Sequence, residues 1–170
     1  YCPTLTRELS TFVYASKPAF FDDPFFQRDA DKEVVAHLLE AKTQQEFRTS
    51  KAGAGYTAAL EVAKKNLKKA SEAGLRIVMG TDAGPMPERF QGYFEHLEME
   101  MMTDAGLSPR LVLISATSDA AKALGKADIG VLKPGAWADF VVLDQDPMAD
   151  IRNTRSIAEV RIAGNLVPKR

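Results

Sequence analysis

Apolar residues recur at helical spacing twice in the first half of the chain. Val34, Val35, Leu38 and Leu39 fall on one side of a segment over about residues 32–49, and Asp31 is placed to cap it. Gly53 and Gly55 are expected to break that helix. Tyr56, Leu60, Ala63, Leu67 and Ala70 then repeat with the same period until Gly74, which predicts a helix near 56–73. The pattern changes at Leu75. Leu75, Ile77, Val78 and Met79 form a short apolar run, broken at Gly80 and followed by Thr81 and Asp82. It reads as a buried strand ending in an acid, and helix plus strand is one step of an α/β fold.

Two more helices are predicted beyond it. Phe90, Phe94, Leu97 and Met101 make the stripe of one over about 88–104, ended by Gly106. Ser108-Pro109 opens the other, about 109–124, whose inner face is small: Leu113, Thr117, Ala120 and Leu124. After Gly125 the period shortens. Gly130–Leu132, a turn at Lys133-Pro134-Gly135 and a strand at Ala138–Leu143 read as a hairpin. Ile157–Ile162 gives another strand, and Gly164-Asn165 a tight turn into Leu166-Val167. Residues 1–28 hold no period and read as a long loop. Phe20, Phe21, Phe25 and Phe26 argue against disorder there; they either pack a substrate mouth or cover a core edge.

Composition narrows the class. At 170 residues the chain suits one domain or one and a half, and its 45% hydrophobic and 26% charged residues are ordinary for a globular protein. A net charge of −1 leaves no electrostatic case for nucleic acid or a membrane surface as partner. Lys64-Lys65 and Lys68-Lys69, with Glu61 nearby, read as a solvated helix face. Cys2 is the single cysteine, so no internal disulfide framework exists. No apolar run reaches the length of a membrane span and nothing reads as a signal peptide; the compartment stays unknown, with the cytoplasm favoured, because the region that would carry a targeting segment is not present. The first residues resemble the end of a strand, and the chain reads as a piece of a longer protein.

Asp82 is the leading candidate for chemistry. In a barrel of parallel strands, a polar residue at a strand's carboxyl end faces the shared mouth. A carboxylate there binds a metal or takes a proton from water. Thr81 either orients Asp82 or only satisfies the turn. His96, beside Glu95 and Glu98, is either substrate-facing or supporting, or a surface histidine on an acidic helix. His37 reads as structural, Met99, Met101 and Met102 as core, and Trp137 as cover for the hairpin or an interface. No nucleophile elbow, phosphate loop or Cys-x-x-Cys is present, so covalent and nucleotide chemistry have no support.

Several short motifs line up in order: Pro3-Thr4-Leu5, Gly80-Thr81-Asp82-Ala83, His96 and Glu98, Ala105-Gly106-Leu107-Ser108-Pro109, Ala116-Thr117, Ala120-Ala121 and Leu124-Gly125. Ile129-Gly130, Lys133-Pro134-Gly135, Ala138–Leu143 and Asp146-Pro147 follow. Together they resemble the carboxyl-terminal part of the metal-dependent amidohydrolase superfamily, in the branch of imidazolonepropionase-like enzymes and Xaa-Pro or Xaa-Arg dipeptidases. The resemblance implies an α/β fold: the last one to two βα units of a (β/α)₈ barrel over residues 1–125, from the end of strand 7 to the helix after strand 8. Residues 126–170 would be the C-terminal strands of a composite β-sandwich. It also implies that Asp82 binds metal and shuttles a proton, with one or two divalent ions, zinc by expectation. The reaction implied is hydrolysis of a C–N bond in a small amide or dipeptide-like substrate.

The resemblance is incomplete. The family's His-x-His pair, its metal-bridging lysine and two further histidines have no counterparts, and His37 and His96 are the only histidines. A catalytic zinc takes about three protein ligands, and a closed barrel needs about 250 residues. The isolated chain is therefore expected to be inactive. The competing expectation is a non-catalytic structural or assembly fragment, forming a homo-oligomer through exposed barrel edges.

Overall fold

The computed structural model describes residues 1–168; Lys169 and Arg170, the end of the expected β element, lie outside them. Among the described residues, eight α-helices and three short strands make an α/β arrangement. The helices are α1 (Leu5–Ser10), α2 (Pro24–Asp29), α3 (Lys32–Leu38), α4 (Ala41–Thr49), α5 (Lys51–Glu72), α6 (Tyr93–Asp104), α7 (Pro109–Ala116) and α8 (Ser118–Ala123). The strands, β1 (Phe140–Leu143), β2 (Ile157–Ile162) and β3 (Asn165–Leu166), form one antiparallel sheet in that order.

The core has two parts that meet at α6. Leu5, Leu60, Leu67, Ile77, Met99, Met101, Met102, Leu107 and Val112 pack as an aliphatic cluster. Tyr14, Phe21, Phe26, Phe90, Tyr93 and Phe94 pack as an aromatic one. The phenylalanines of the expected loop thus build a core: Phe21 stacks on Phe26 at 5.1 Å, and Phe26 meets Phe90 edge-on at 4.8 Å. That segment is not a bare loop, because α1, α2 and two 3₁₀ turns order it.

The expected helix over 32–49 is two helices. Asp31 caps the first, accepting from the amides of Glu33 and Val34, but Glu40 is extended, at φ −63° and ψ 135°. The break turns Phe47 back onto Tyr14, ring to ring at 5.5 Å. Gly53 and Gly55 do not break the chain as expected; both lie inside α5. A Cβ on Gly53 would stand 3.2 Å from the carbonyl oxygen of Thr11, so close approach of α1 explains the glycine better than a helix stop does. The helix expected over 109–124 is broken at Thr117, whose hydroxyl donates back to Leu113 O at 2.6 Å.

The stretch Leu75–Gly80 is extended but is not part of a sheet. Tyr1 lies alongside it: the Tyr1 amine donates to Arg76 O at 2.7 Å, and Val78 N–H donates to Tyr1 O at 2.9 Å. That is the parallel pattern, one residue long among the described residues. On the other side Met79 N–H donates to Ser115 O. Gly80 passes so close to Cys2 that a Cβ would lie 2.6 Å from Sγ.

Gly130–Leu132 does not pair with Ala138–Leu143 as expected. β1 pairs instead with β2, Phe140 opposite Arg161. The β2–β3 turn falls one position earlier than expected, at Ala163-Gly164, both with positive φ. Asp139 Oδ1 holds it by accepting from Ala163 N–H at 2.6 Å.

Candidate functional site

Asp82 follows the extended segment directly and stands in the left-handed region, φ 54°. Asparagine and aspartate tolerate this conformation better than most residues, yet it still needs support. Arg89 supplies it. Its Nη1 donates to Asp82 Oδ2 at 2.9 Å and to the Asp82 carbonyl at 3.2 Å. Its Nε reaches Ser10 Oγ at 3.3 Å, joining the loop to α1. The Arg89 side chain is 13% exposed and the Asp82 side chain 50%. One carboxylate oxygen is thus held, and Oδ1 has no protein partner among the described residues. The Arg89 turn also explains why α6 starts at Tyr93 rather than near residue 88.

Thr81 does not touch the Asp82 carboxylate. Its hydroxyl accepts from Ala83 N–H and donates to Glu95 Oε1, both at 3.1 Å, so it satisfies the turn and anchors it to α6. Glu95 Oε2 in turn accepts from Gly92 N–H at 2.7 Å, closing the start of α6.

A second carboxylate lies beneath this loop. Glu98 is fully buried. Its Oε1 accepts from Leu5 N–H at 2.8 Å, and its Oε2 from Thr6 N–H at 2.7 Å and Thr6 Oγ1 at 2.8 Å. Helix α1 has no side-chain cap of its own, and Glu98 takes that place from across the fold. Burial pushes the Glu98 carboxyl above its usual range, and the donors of Thr6 and Leu5 pull it back.

His96 is not a surface histidine. Its ring packs edge-on against Phe25 at 5.0 Å, and Nδ1 lies 2.9 Å from Thr154 Oγ1. Burial, reinforced by the charges of Arg155 and Arg28, lowers its pKa to about 4. The ring is therefore neutral near pH 7. His37, expected to be structural, is exposed and faces Glu40 at 3.4 Å. Met99, Met101 and Met102 are buried, and Trp137 is exposed with Nε1 on Asp128 at 3.1 Å.

Nothing local in the sequence marks Arg155. It pairs with Asp23 at 2.8 Å and with Glu100, and its guanidinium lies 4.9 Å above the Tyr93 ring. It ties α2 and α6 to the 3₁₀ turn at Ile151–Arg155.

The same geometry bears on a metal centre. Among the described residues no group of three or more His, Cys, Asp and Glu side chains converges as metal ligands would. The partner of Asp82 is a guanidinium, and His96 is turned toward Thr154. The residues present do not make a metal site by themselves.

Comparison with known proteins gives a consistent family. The chain is 35% identical over 79 residues to an imidazolonepropionase of Streptomyces avermitilis, a match covering 46% of this chain and 19% of that protein. It spans about a fifth of the length of the curated relatives it matches. Among solved structures, phenylurea hydrolase B is 37% identical, with 72% of this chain and 29% of that one covered and a TM-score of 0.58. A proposed prolidase from Bifidobacterium longum aligns with 99% of this chain and 36% of its own, at 26% identity and a TM-score of 0.64. Residues 56–167, from the body of α5 through Asp82 to the end of the sheet, match the amidohydrolase family model, and the chain belongs to the amidohydrolase family.

Proposed function

We propose that this chain is the C-terminal portion of a hydrolase of C–N bonds in small amide or dipeptide-like substrates. The observation that carries the reading is the placement of Asp82 within the family match, at the end of the Leu75–Gly80 segment, with one oxygen fixed by Arg89 and the other without a partner among the described residues. The hydrolases named among the solved structures this chain resembles support the same bond class. In this reading residues 1–125 belong to a (β/α)₈ barrel and residues 126–170 to its β-sandwich.

The role proposed for Asp82 is to hold a proton at Oδ1, taken from the attacking water. Arg89 fixes the direction of that oxygen through Oδ2, and Thr81 with Glu95 keeps the turn rigid beneath it. Metal dependence belongs to the whole protein. Asp82 is the metal ligand this reading assigns to the described residues, with zinc as the metal it expects.

The test uses the whole protein that carries this segment. Asp82→Asn should abolish amide and dipeptide hydrolysis while leaving the folded fraction unchanged. An unchanged rate would overturn the role of Asp82.

One further observation favours a second reading for the chain on its own. Leu75, Leu124, Leu132, Val141, Ile162 and Leu166 are all more than half exposed. Side chains this exposed give a second copy of the chain apolar surface to bury. As an isolated piece, the chain would act as an assembly module and form a homo-oligomer through those surfaces. A monodisperse monomer at micromolar concentration in sedimentation would rule that out.

A further inference from the structure

Helix α1 carries two buried hydroxyls one turn apart, Thr6 fully buried and Ser10 at 4% exposure. Positions four apart share one helix face, and both hydroxyls meet the loop that holds Asp82. Thr6 Oγ1 lies 3.3 Å from the carbonyl oxygen of Thr81, the residue before Asp82. Ser10 Oγ lies 3.3 Å from Nε of Arg89, the residue that grips the Asp82 carboxylate. The start of α1 is itself fixed, because Glu98 accepts from the amides of Leu5 and Thr6.

The Ser10 contact has a defined direction. Ser10 Oγ donates its hydrogen to Arg7 O at 2.8 Å, so toward Arg89 it is an acceptor. The backbone around Arg89 is held as well. Its own N–H donates to Met86 O at 3.0 Å, and the carbonyl of Glu88 accepts from the Tyr14 hydroxyl. The guanidinium thus spans two anchors. Nε rests on Ser10, and Nη1 reaches both Oδ2 and the carbonyl of Asp82. A planar fork holds two such partners at once, whereas an ammonium on a flexible stem does not fix that geometry. Asp82 needs this support, because it is half-exposed and stands at φ 54°.

We propose that Ser10 is a positioning residue for Asp82, acting through Arg89. Ser10 fixes the guanidinium, and the guanidinium fixes the direction of Asp82 Oδ1. With that strut released, the carboxylate samples its staggered wells and the left-handed backbone relaxes, and kcat is expected to fall about tenfold. The inference rests on the reading of Asp82 as the proton acceptor.

Two readouts let the inference and that reading fail separately. The first needs no turnover. In the ¹⁵N-labelled 170-residue chain, the Arg89 Nε–H should be protected from exchange with water, and Ser10→Ala should abolish that protection while the backbone spectrum stays that of a folded chain. The second is kinetic, on the whole protein that carries this segment, with an amide or dipeptide that Asp82→Asn ceases to hydrolyse. Ser10→Ala should lower kcat about tenfold with KM unchanged, the pattern of an interaction needed only in the transition state. Arg89→Lys keeps the charge and loses the fork, and should lower kcat at least as much. Ser10→Ala added to Arg89→Lys should cost nothing further, whereas a merely structural serine would cost the same in both backgrounds. Ser10→Cys, similar in size but a weak acceptor, takes the place of Ser10→Ala should that variant not fold. A protected Arg89 Nε–H in Ser10→Ala would overturn the proposal. So would a wild-type kcat in Ser10→Ala or Arg89→Lys, or losses that multiply in the double variant. An unchanged rate in Asp82→Asn, with protection lost in Ser10→Ala, would overturn the hydrolase reading and still support Ser10 as the anchor of Arg89.

Discussion

Two carboxylates meet the same stretch of backbone and do opposite things: the Thr6 hydroxyl lies between Glu98 and the carbonyl of Thr81, the residue before Asp82. Glu98 is completely buried and accepts three hydrogen bonds, from the backbone of Leu5 and from the backbone and hydroxyl of Thr6. Both its oxygens are engaged and buried, out of reach of a ligand. Asp82 is half-exposed, stands in a left-handed conformation, and has one oxygen committed to Arg89. The difference lies in saturation. A carboxylate that closes every donor around it fixes structure, whereas one held by a single side keeps a lone pair for chemistry.

Asp82→Asn should separate the two most sharply on the chemical side. A lost proton acceptor costs a rate on the order of 10³-fold, read in hydrolysis by the whole protein. Stability should move by less than about 1 kcal/mol, since the site is half-exposed.

Glu98→Gln is the structural counterpart. An amide offers one acceptor oxygen where three donors point, so at least one buried N–H is left unpaired. We expect a loss of about 3 kcal/mol in urea unfolding. A change below about 1 kcal/mol would mean that α1 does not depend on this cap.

A pH series refines the contrast through His96. Burial lowers its pKa to about 4, against an ordinary value of 6.5. Between those values the unfolded chain binds a proton that the folded chain refuses, so stability is present above about 6.5 and lost as pH falls toward 4. The loss has an upper bound on the order of 3 kcal/mol. The ring faces Arg28 from α2 and Arg155 from the 3₁₀ turn, both of which oppose protonation. Glu98, pushed upward by burial, acts with the opposite sign above 4.5. The His96 share is therefore the difference between the wild-type curve and that of His96→Gln.

Asp31→Ala gives the smallest effect. It removes the cap of α3, which accepts from Glu33 and Val34, and should cost about 1 kcal/mol with no change in rate.

These residues also show which parts of the molecule could be read from sequence. Asp31 and Ser108 cap helices because their partners are two or three residues away. Asp82 stands out for the same reason: an apolar run ending in Gly-Thr-Asp is a local pattern. Glu98 carries no local sign of its role, because the amides it caps are 92 and 93 positions distant. The seat of His96 depends on Thr154, 58 positions away, and that of Arg155 on Asp23, 132 positions away. Helix boundaries differ from expectation where packing overrides propensity, at Gly53 under Thr11 and at Glu40, where Phe47 turns back to Tyr14. The strand expected at Leu75–Gly80 does not form because a ladder needs neighbours, and Tyr1 and Ser115 supply single bonds only.

In this reading the chain supplies one acid to a site completed elsewhere. Divalent metal per chain, measured by elemental analysis of the purified 170-residue protein after dialysis, decides the point. Far less than one zinc per chain is expected, because Asp82 faces Arg89 and no further ligands converge on it among the described residues. About one zinc per chain, lost in Asp82→Asn, would contradict the reading and show that the chain closes a metal site on its own.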